Sequence, residues 1–236
     1  MNALTSEAFP SARVRRYGRG MDLQSIWPLF GLSIETPRLR LRPVRDEDLP
    51  GLVDAALGGV HEPERTPFGF PWTDAPEDEL PSNMARFHWS LRNRVAPHDW
   101  TVAFAVHEGE RIIGAQDLAA YGFSDRRTVN TGSWLTRSAQ GQGFGTEMRA
   151  GLLSFAFDTL GAEWAESSAA SWNEASLRVS SKLGYRPNGV TRVSPRAGEP
   201  VDEQRVRLRR ADFVRPDWAI TVRGQGPALR QLGITA

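Results

Sequence analysis

Gln140-Gly141-Gln142-Gly143-Phe144-Gly145-Thr146 is the stretch on which the reading of this chain turns. It follows the apolar segment Ser133-Trp134-Leu135. It also opens a run in which Phe144, Met148, Leu152, Phe155 and Leu160 recur at helical spacing. A turn poor in side chains lets backbone N–H groups approach a phosphate closely, and the N-terminus of the following helix adds partial positive charge. No lysine accompanies the glycines, which separates this loop from a P-loop. By itself such a turn also serves as a plain strand-to-helix connection.

Working outward, Gly161 suits the end of that helix, and 163–169 reads as a short strand. Asn173 is placed to cap a further helix, with Glu174 in its acid-favouring first turn; Leu177, Val179 and Leu183 continue it to Gly184. Upstream, Leu39 and Leu41 alternate with Arg38, Arg40 and Arg42 as in a half-buried strand, and Asp46 suits the cap of a helix from Glu47. Trp100, Val102, Phe104 and Val106 alternate through 99–107, with 111–119 as the hairpin partner. The segment 128–135 reads as the strand that feeds the glycine loop. The last hairpin joins 190–194 to 203–209. A Pro- and aromatic-rich loop at 61–72 and a helix at 82–94 fill the interval before the central strands.

Three motifs in order resemble one family. Gln140, Gly143 and Gly145 fit the Gln/Arg-x-x-Gly-x-Gly/Ala loop of the GNAT superfamily of N-acetyltransferases. Asn173-Glu-Ala-Ser-Leu-Arg-Val-Ser-Ser-Lys-Leu-Gly-Tyr185 is similar to its Asn-x-x-Ser…Lys-x-Gly-Phe signature. Glu35-Thr-Pro-Arg-Leu-Arg-Leu-Arg42 resembles the opening of the RimJ/RimL-like branch. The resemblance spans roughly 33–214. It implies an α/β (α+β) fold with a mixed, mainly antiparallel sheet of about seven strands flanked by helices. It also implies transfer of an acyl group from acyl-CoA, acetyl-CoA by default or succinyl-CoA, to a primary amine by direct attack.

The resemblance assigns roles as well. A backbone N–H near Trp134 or Leu135 would face the thioester carbonyl. Backbone groups from Arg137 through Gln140, Gly141, Gln142, Gly143, Phe144, Gly145 and Thr146 would hold pantetheine and pyrophosphate. Asn173, Ser176 and Lys182 would flank the coenzyme arm, and Phe68, Phe70 and Trp72 would line the acceptor pocket. Two hydroxyls compete for the catalytic proton-donor role, orienting the thiolate or relaying through water: Ser176 matches the serine of RimL-like enzymes, and Ser180 stands where many relatives carry a tyrosine acid. Four residues apart on a helix, the two share a face.

Acyl transfer needs a neutral amine, a donor for the tetrahedral oxyanion and stabilisation of the leaving thiolate. RimL-like enzymes carry a glutamate three residues before the loop glutamine; here that position is Arg137. An α-amino group, with a pKa near about 8, needs less help from a base than a lysine-like amine. Asp117 and Glu166 are the nearest strand-borne carboxylates for water-mediated base catalysis; as surface charges they would do nothing. Arg137 either favours an acidic acyl group such as succinyl or grips a coenzyme phosphate. A non-catalytic acyl-CoA-binding protein on the same fold is the alternative reading.

Composition bounds the rest. A net charge of +1 in 236 residues argues against nucleic-acid binding, and the lack of cysteine excludes disulfides and a thiol nucleophile. No apolar run reaches membrane-spanning length. His61, His88, His98 and His107 lack metal-ligand spacing, so no metal is expected. The expected organisation is an N-terminal extension at 1–32, an acyltransferase domain at 33–214 and a C-terminal tail at 215–236, in a cytoplasmic protein. Within the extension, the first residues read as a mobile tail, and 26–30 is apolar enough to pack on the domain or on a second copy in a homo-oligomer. The acceptor is a small-molecule amine or a protein N-terminus.

Overall fold

The computed structural model describes residues 21–234, so residues 1–20 of the expected N-terminal extension lie outside the described residues. Nine strands form one sheet: β1 (Ser33–Glu35), β2 (Arg40–Pro43), β3 (Trp100–Glu108), β4 (Arg111–Ala120), β5 (Thr128–Leu135), β6 (Trp164–Ala170), β7 (Arg186–Arg196), β8 (Glu199–Arg209) and β9 (Thr221–Arg223). Their order across the sheet is β7-β8-β6-β5-β4-β3-β2-β1-β9. Every neighbouring pair is antiparallel except β5 and β6, which run parallel.

The strand count exceeds the seven expected because β1 and β9, three residues each, are too short to show a two-residue period. Residues 221–234 fold back onto the domain. Val222 of β9 pairs with Ile34 of β1, and Ala228, Leu229, Leu232 and Ile234 are buried in the main core. Leu29 and Phe30 at the other end are buried too, and Leu29 N–H donates to Gln231 Oε1 at 2.9 Å. The apolar stretch at 26–30 therefore packs largely on its own domain, while Ile26 stays exposed.

The helices are α1 (Leu23–Ile26), α2 (Leu49–Leu57), α3 (Leu80–Asn93), α4 (Phe123–Arg126), α5 (Phe144–Ser154), α6 (Glu174–Lys182) and α7 (Gln225–Gln231). The alternation of β3 divides them between two faces. Trp100, Phe104 and Val106 join the large core with α5 residues Met148, Leu152 and Leu153. Ala103 and Ala105 on the other face pack with Leu52 of α2 and Met84 and Leu91 of α3. Asp46 does not cap α2: Asp48 takes the Arg45 N–H at 2.9 Å, and Asp46 accepts from Trp89 and Arg92 of α3. α5 ends in a wider turn at Phe155–Thr159 before Gly161, whose φ of +74° suits the reversal.

Candidate active site

The site is built where two strands part. β5 and β6 pair only over Thr128–Asn130 and Trp164–Glu166, and the last link is Ser167 Oγ donating to Thr131 O at 2.8 Å. Beyond it β5 continues alone on that edge toward the glycine loop. Thr136 N–H donates to Ile113 O at 2.8 Å, so by the alternation of an antiparallel ladder Trp134 faces its β4 partner Ala115. The N–H groups of Ser133 and Leu135 point into the gap. Of Trp134 and Leu135, it is Leu135 whose N–H turns into the gap.

The gap opens into a cleft of about 760 Å³ that runs from Thr131 to Lys182 and is walled by β5, the glycine loop, α5 and α6. Gly141 and Gly143 adopt φ of +74° and +87°, which L side chains rarely reach, and both line the cleft with Gly145 and Thr146. Thr146 and Glu147 N–H both turn back to Gly143 O. The N–H groups from Gly141 to Gly145 have no acceptor among the described residues, so a run of unsatisfied donors sits at the N-terminus of α5.

The loop is held from outside. Gln140 Nε2 donates to Val60 O at 2.7 Å and Leu135 O at 2.9 Å, so this side chain fastens the loop instead of reaching for a ligand. Arg38 donates to Gln142 O at 3.1 Å, lies over the Phe144 ring at 4.4 Å and pairs with the buried Glu147 at 2.6 Å. Gln142 bonds Ser138 O, and Phe144 is buried; neither side chain lines the cleft.

A family model described as the acetyltransferase (GNAT) domain matches residues 38–186, well over half of the chain. The chain belongs to the GNAT acetyltransferases. Solved structures share the fold. Mycobacterium smegmatis RimJ in complex with CoA-disulfide is 17% identical, with a TM-score of 0.64 over 86% of this chain and 95% of that one. RimL, the ribosomal L7/L12 alpha-N-protein acetyltransferase in complex with coenzyme A, is 15% identical, with a TM-score of 0.59 over 74% and 95%. A GNAT-family acetyltransferase from Bacillus anthracis is 17% identical, with a TM-score of 0.57 over 75% and 98%.

In this GNAT domain the second motif forms the opposite wall of the cleft. Asn173 Oδ1 accepts the Ser176 N–H at 3.2 Å and caps α6, and Asn173, Ser176, Val179 and Lys182 line the cleft. Ser180 does not join them. It is 2% exposed, its hydroxyl donates to Ser176 O at 3.1 Å, and it accepts from Arg149 Nη1 at 2.9 Å. A step of four residues turns a helix by about 40° beyond a full circle, enough to carry Ser180 from the cleft wall into the packing beneath.

Arg149 belongs to none of the sequence motifs. It stands on α5 one residue past Met148, is 4% exposed and lines the cleft. Its Nη1 and Nη2 donate to Ser180 Oγ and, at 3.2 Å, Ser133 Oγ, while Nε–H is buried without a partner. Among the described residues no carboxylate pairs with it, and burial pulls its pKa below the usual arginine range. In the sequence it follows Met148 directly and so stands off the apolar row, where it reads as a surface cation.

Arg137 is already matched: its guanidinium holds the Glu62 carboxylate, with Nη1 to Oε2 at 3.3 Å. Phe68 lines the cleft and starts an aromatic chain through Trp72 to Trp134, with ring centroids 5.2 and 5.3 Å apart. Phe70 points away and is 72% exposed. Asp117 lies on the other face of the sheet, opposite Gly132. There it lines a groove of about 360 Å³ with Glu166, Tyr121 and Asn188. Burial pushes the Asp117 carboxyl from its ordinary 3.8 up to about 7. Thr131, Gly132, Ser167 and Ser168 line both groove and cleft, so the two meet across the β5–β6 gap. No group of three or more potential metal ligands occurs among the described residues, and no helix among them is long and apolar enough to cross a membrane.

Proposed function

We propose that the protein transfers an acyl group from acyl-CoA, acetyl-CoA first, to a primary amine, with coenzyme and acceptor entering from opposite faces of the sheet. The observation that carries this reading is the continuity of cleft and groove across the β5–β6 gap. The run of unsatisfied N–H groups at Gly141–Gly145 suits the pyrophosphate. The gap takes the pantetheine arm, beside Asn173, Ser176 and Lys182. The Leu135 N–H stabilises the oxyanion.

The amine comes through the groove. A base must lie within hydrogen-bond reach of the nitrogen or one water away, with a pKa near the working pH. Asp117, titrating near 7 across from Gly132, meets that requirement and removes the proton directly or through water. Glu166 is a second carboxylate on the same groove wall. An α-amino group is the favoured acceptor class, because its pKa of about 8 leaves a neutral fraction for a base of this strength. The RimL neighbour is a ribosomal L7/L12 alpha-N-protein acetyltransferase, which supports a protein N-terminus as the acceptor; the proposed setting is cytoplasmic. Phe68 and Trp72 form the wall beside Trp134. Succinyl-CoA is the second donor to test, with Arg137 needing release from Glu62 before it meets an acyl carboxylate.

The test is release of coenzyme A thiol from acetyl-CoA and succinyl-CoA with a panel of peptides bearing free N-termini, lysine-like amines and small amines. Amine-dependent release with one acceptor class supports the reading. Tight donor binding with no release for any amine supports the non-catalytic alternative.

A further inference from the structure

We propose that Arg149 is a catalytic cation that stabilises the departing coenzyme thiolate, in place of a side chain that protonates it. This rests on the acyl-transfer reading above. The guanidinium is 4% exposed, has no carboxylate partner among the described residues, and lines the cleft floor where β5 and β6 part. A charge held this way gains little from its surroundings. Two neutral hydroxyls, Ser133 Oγ and Ser180 Oγ, compensate a buried cation poorly, and Nε–H has no acceptor among the described residues. A strut between α5, β5 and α6 would need no charge, whereas an anion arriving in the cleft would complete the site.

The reaction supplies one. The amine nitrogen forms a bond to the thioester carbonyl carbon, and the tetrahedral intermediate collapses with the C–S electron pair leaving on sulfur. The nitrogen proton goes to Asp117 or water, and the products are the amide and a thiolate. Ser180 cannot protonate that sulfur while its hydroxyl hydrogen is engaged with Ser176 O. A neighbouring cation lowers a thiol's pKa and stabilises its anion without any proton transfer. The thiolate then takes a proton from solvent on release.

The experiment titrates the thiol of coenzyme A bound to the full chain, followed by the ultraviolet absorbance of the thiolate, in wild type, Arg149→Met and Arg149→Lys. Expected is a bound thiol at least about one pH unit below the free value of about 8.5 in wild type. The shift is largely kept in Arg149→Lys and abolished in Arg149→Met, and kcat with acetyl-CoA falls about 10²-fold in the latter. A wild-type thiol that titrates no lower than free coenzyme A overturns the proposal even if Arg149→Met fails to fold. So does an Arg149→Met protein that keeps the wild-type thiol pKa and loses only succinyl-CoA, since the cation would then serve an acyl carboxylate. Absence of any coenzyme binding overturns the acyl-transfer reading itself, whereas binding with an unshifted thiol overturns this inference alone.

Discussion

Arg149 approaches the β5–β6 gap from the α5 face through Ser133, and Asp117 lies across from Gly132 on the opposite face. Both are ionisable groups drawn out of bulk water, Arg149 buried and Asp117 half-buried, yet they respond differently. A guanidinium stays charged at any working pH, so burial leaves a permanent cation among neutral hydroxyls. A carboxyl evades the same cost by keeping its proton until about pH 7. The sheet therefore has a fixed charge from α5 against one face and a titrating one from β4 on the other. That division suits a reaction in which an anion leaves on one side and a proton on the other.

The largest effect should come from Asp117. Asp117→Asn should lower kcat/KM about 10²-fold at pH 8 and remove the rising limb that wild type shows near pH 7. A pH–rate series on both proteins checks this, and superimposable profiles would break the comparison on the acceptor side.

Ser180→Ala comes next. It removes one of the two acceptors of a buried cation, at a cost of about 1–3 kcal/mol. Thermal melting should record a drop of several degrees. An unchanged melting temperature would mean that Arg149 finds another partner and is not short of one.

Stability sharpens the other half. The folded pKa of Asp117 lies above its unfolded value, so through this group the native state binds its proton more tightly than the unfolded chain. The stability it contributes is fully present below about pH 4 and is lost as the pH rises toward 7. Asparagine stays neutral throughout. Asp117→Asn should thus raise Tm by about 5 °C more at pH 8.5 than at pH 5. Equal shifts at both pH values would show that the carboxyl titrates normally.

The smallest effect is expected at the exposed Arg137–Glu62 pair. Glu62→Gln should change stability by less than about 0.5 kcal/mol. It frees the Arg137 guanidinium, so the ratio of succinyl-CoA to acetyl-CoA turnover reports whether that cation reaches the acyl end.

Much of this arrangement was legible in the residues. The loop at 140–146, the Asn173 cap and the strand at 128–135 announce themselves through glycine spacing, cap chemistry and alternation, all local signals. What escaped was set by distant contacts. Arg137 reads as a free cation until Glu62 arrives from 75 residues upstream. Ser180 reads as a cleft residue until packing turns it toward Ser176 O and Arg149. Residues 221–231 read as a tail because a three-residue strand and the breakers Gly224, Gly226 and Pro227 hide elements that only β1 and the core stabilise. Phe70 shows the converse: an aromatic residue in a structured loop that faces solvent.

Everything proposed for either face depends on coenzyme A occupying the cleft. Calorimetric titration of wild type and Gly143→Val with acetyl-CoA asks this directly. Gly143 sits at φ +87° in the run of unsatisfied N–H groups, where a β-branched side chain is strained. Saturable one-to-one binding in wild type, weakened about 10²-fold or more in Gly143→Val while the fold is retained by circular dichroism, is the predicted result. No binding to wild type, or equal binding to both proteins, would contradict the placement of the coenzyme.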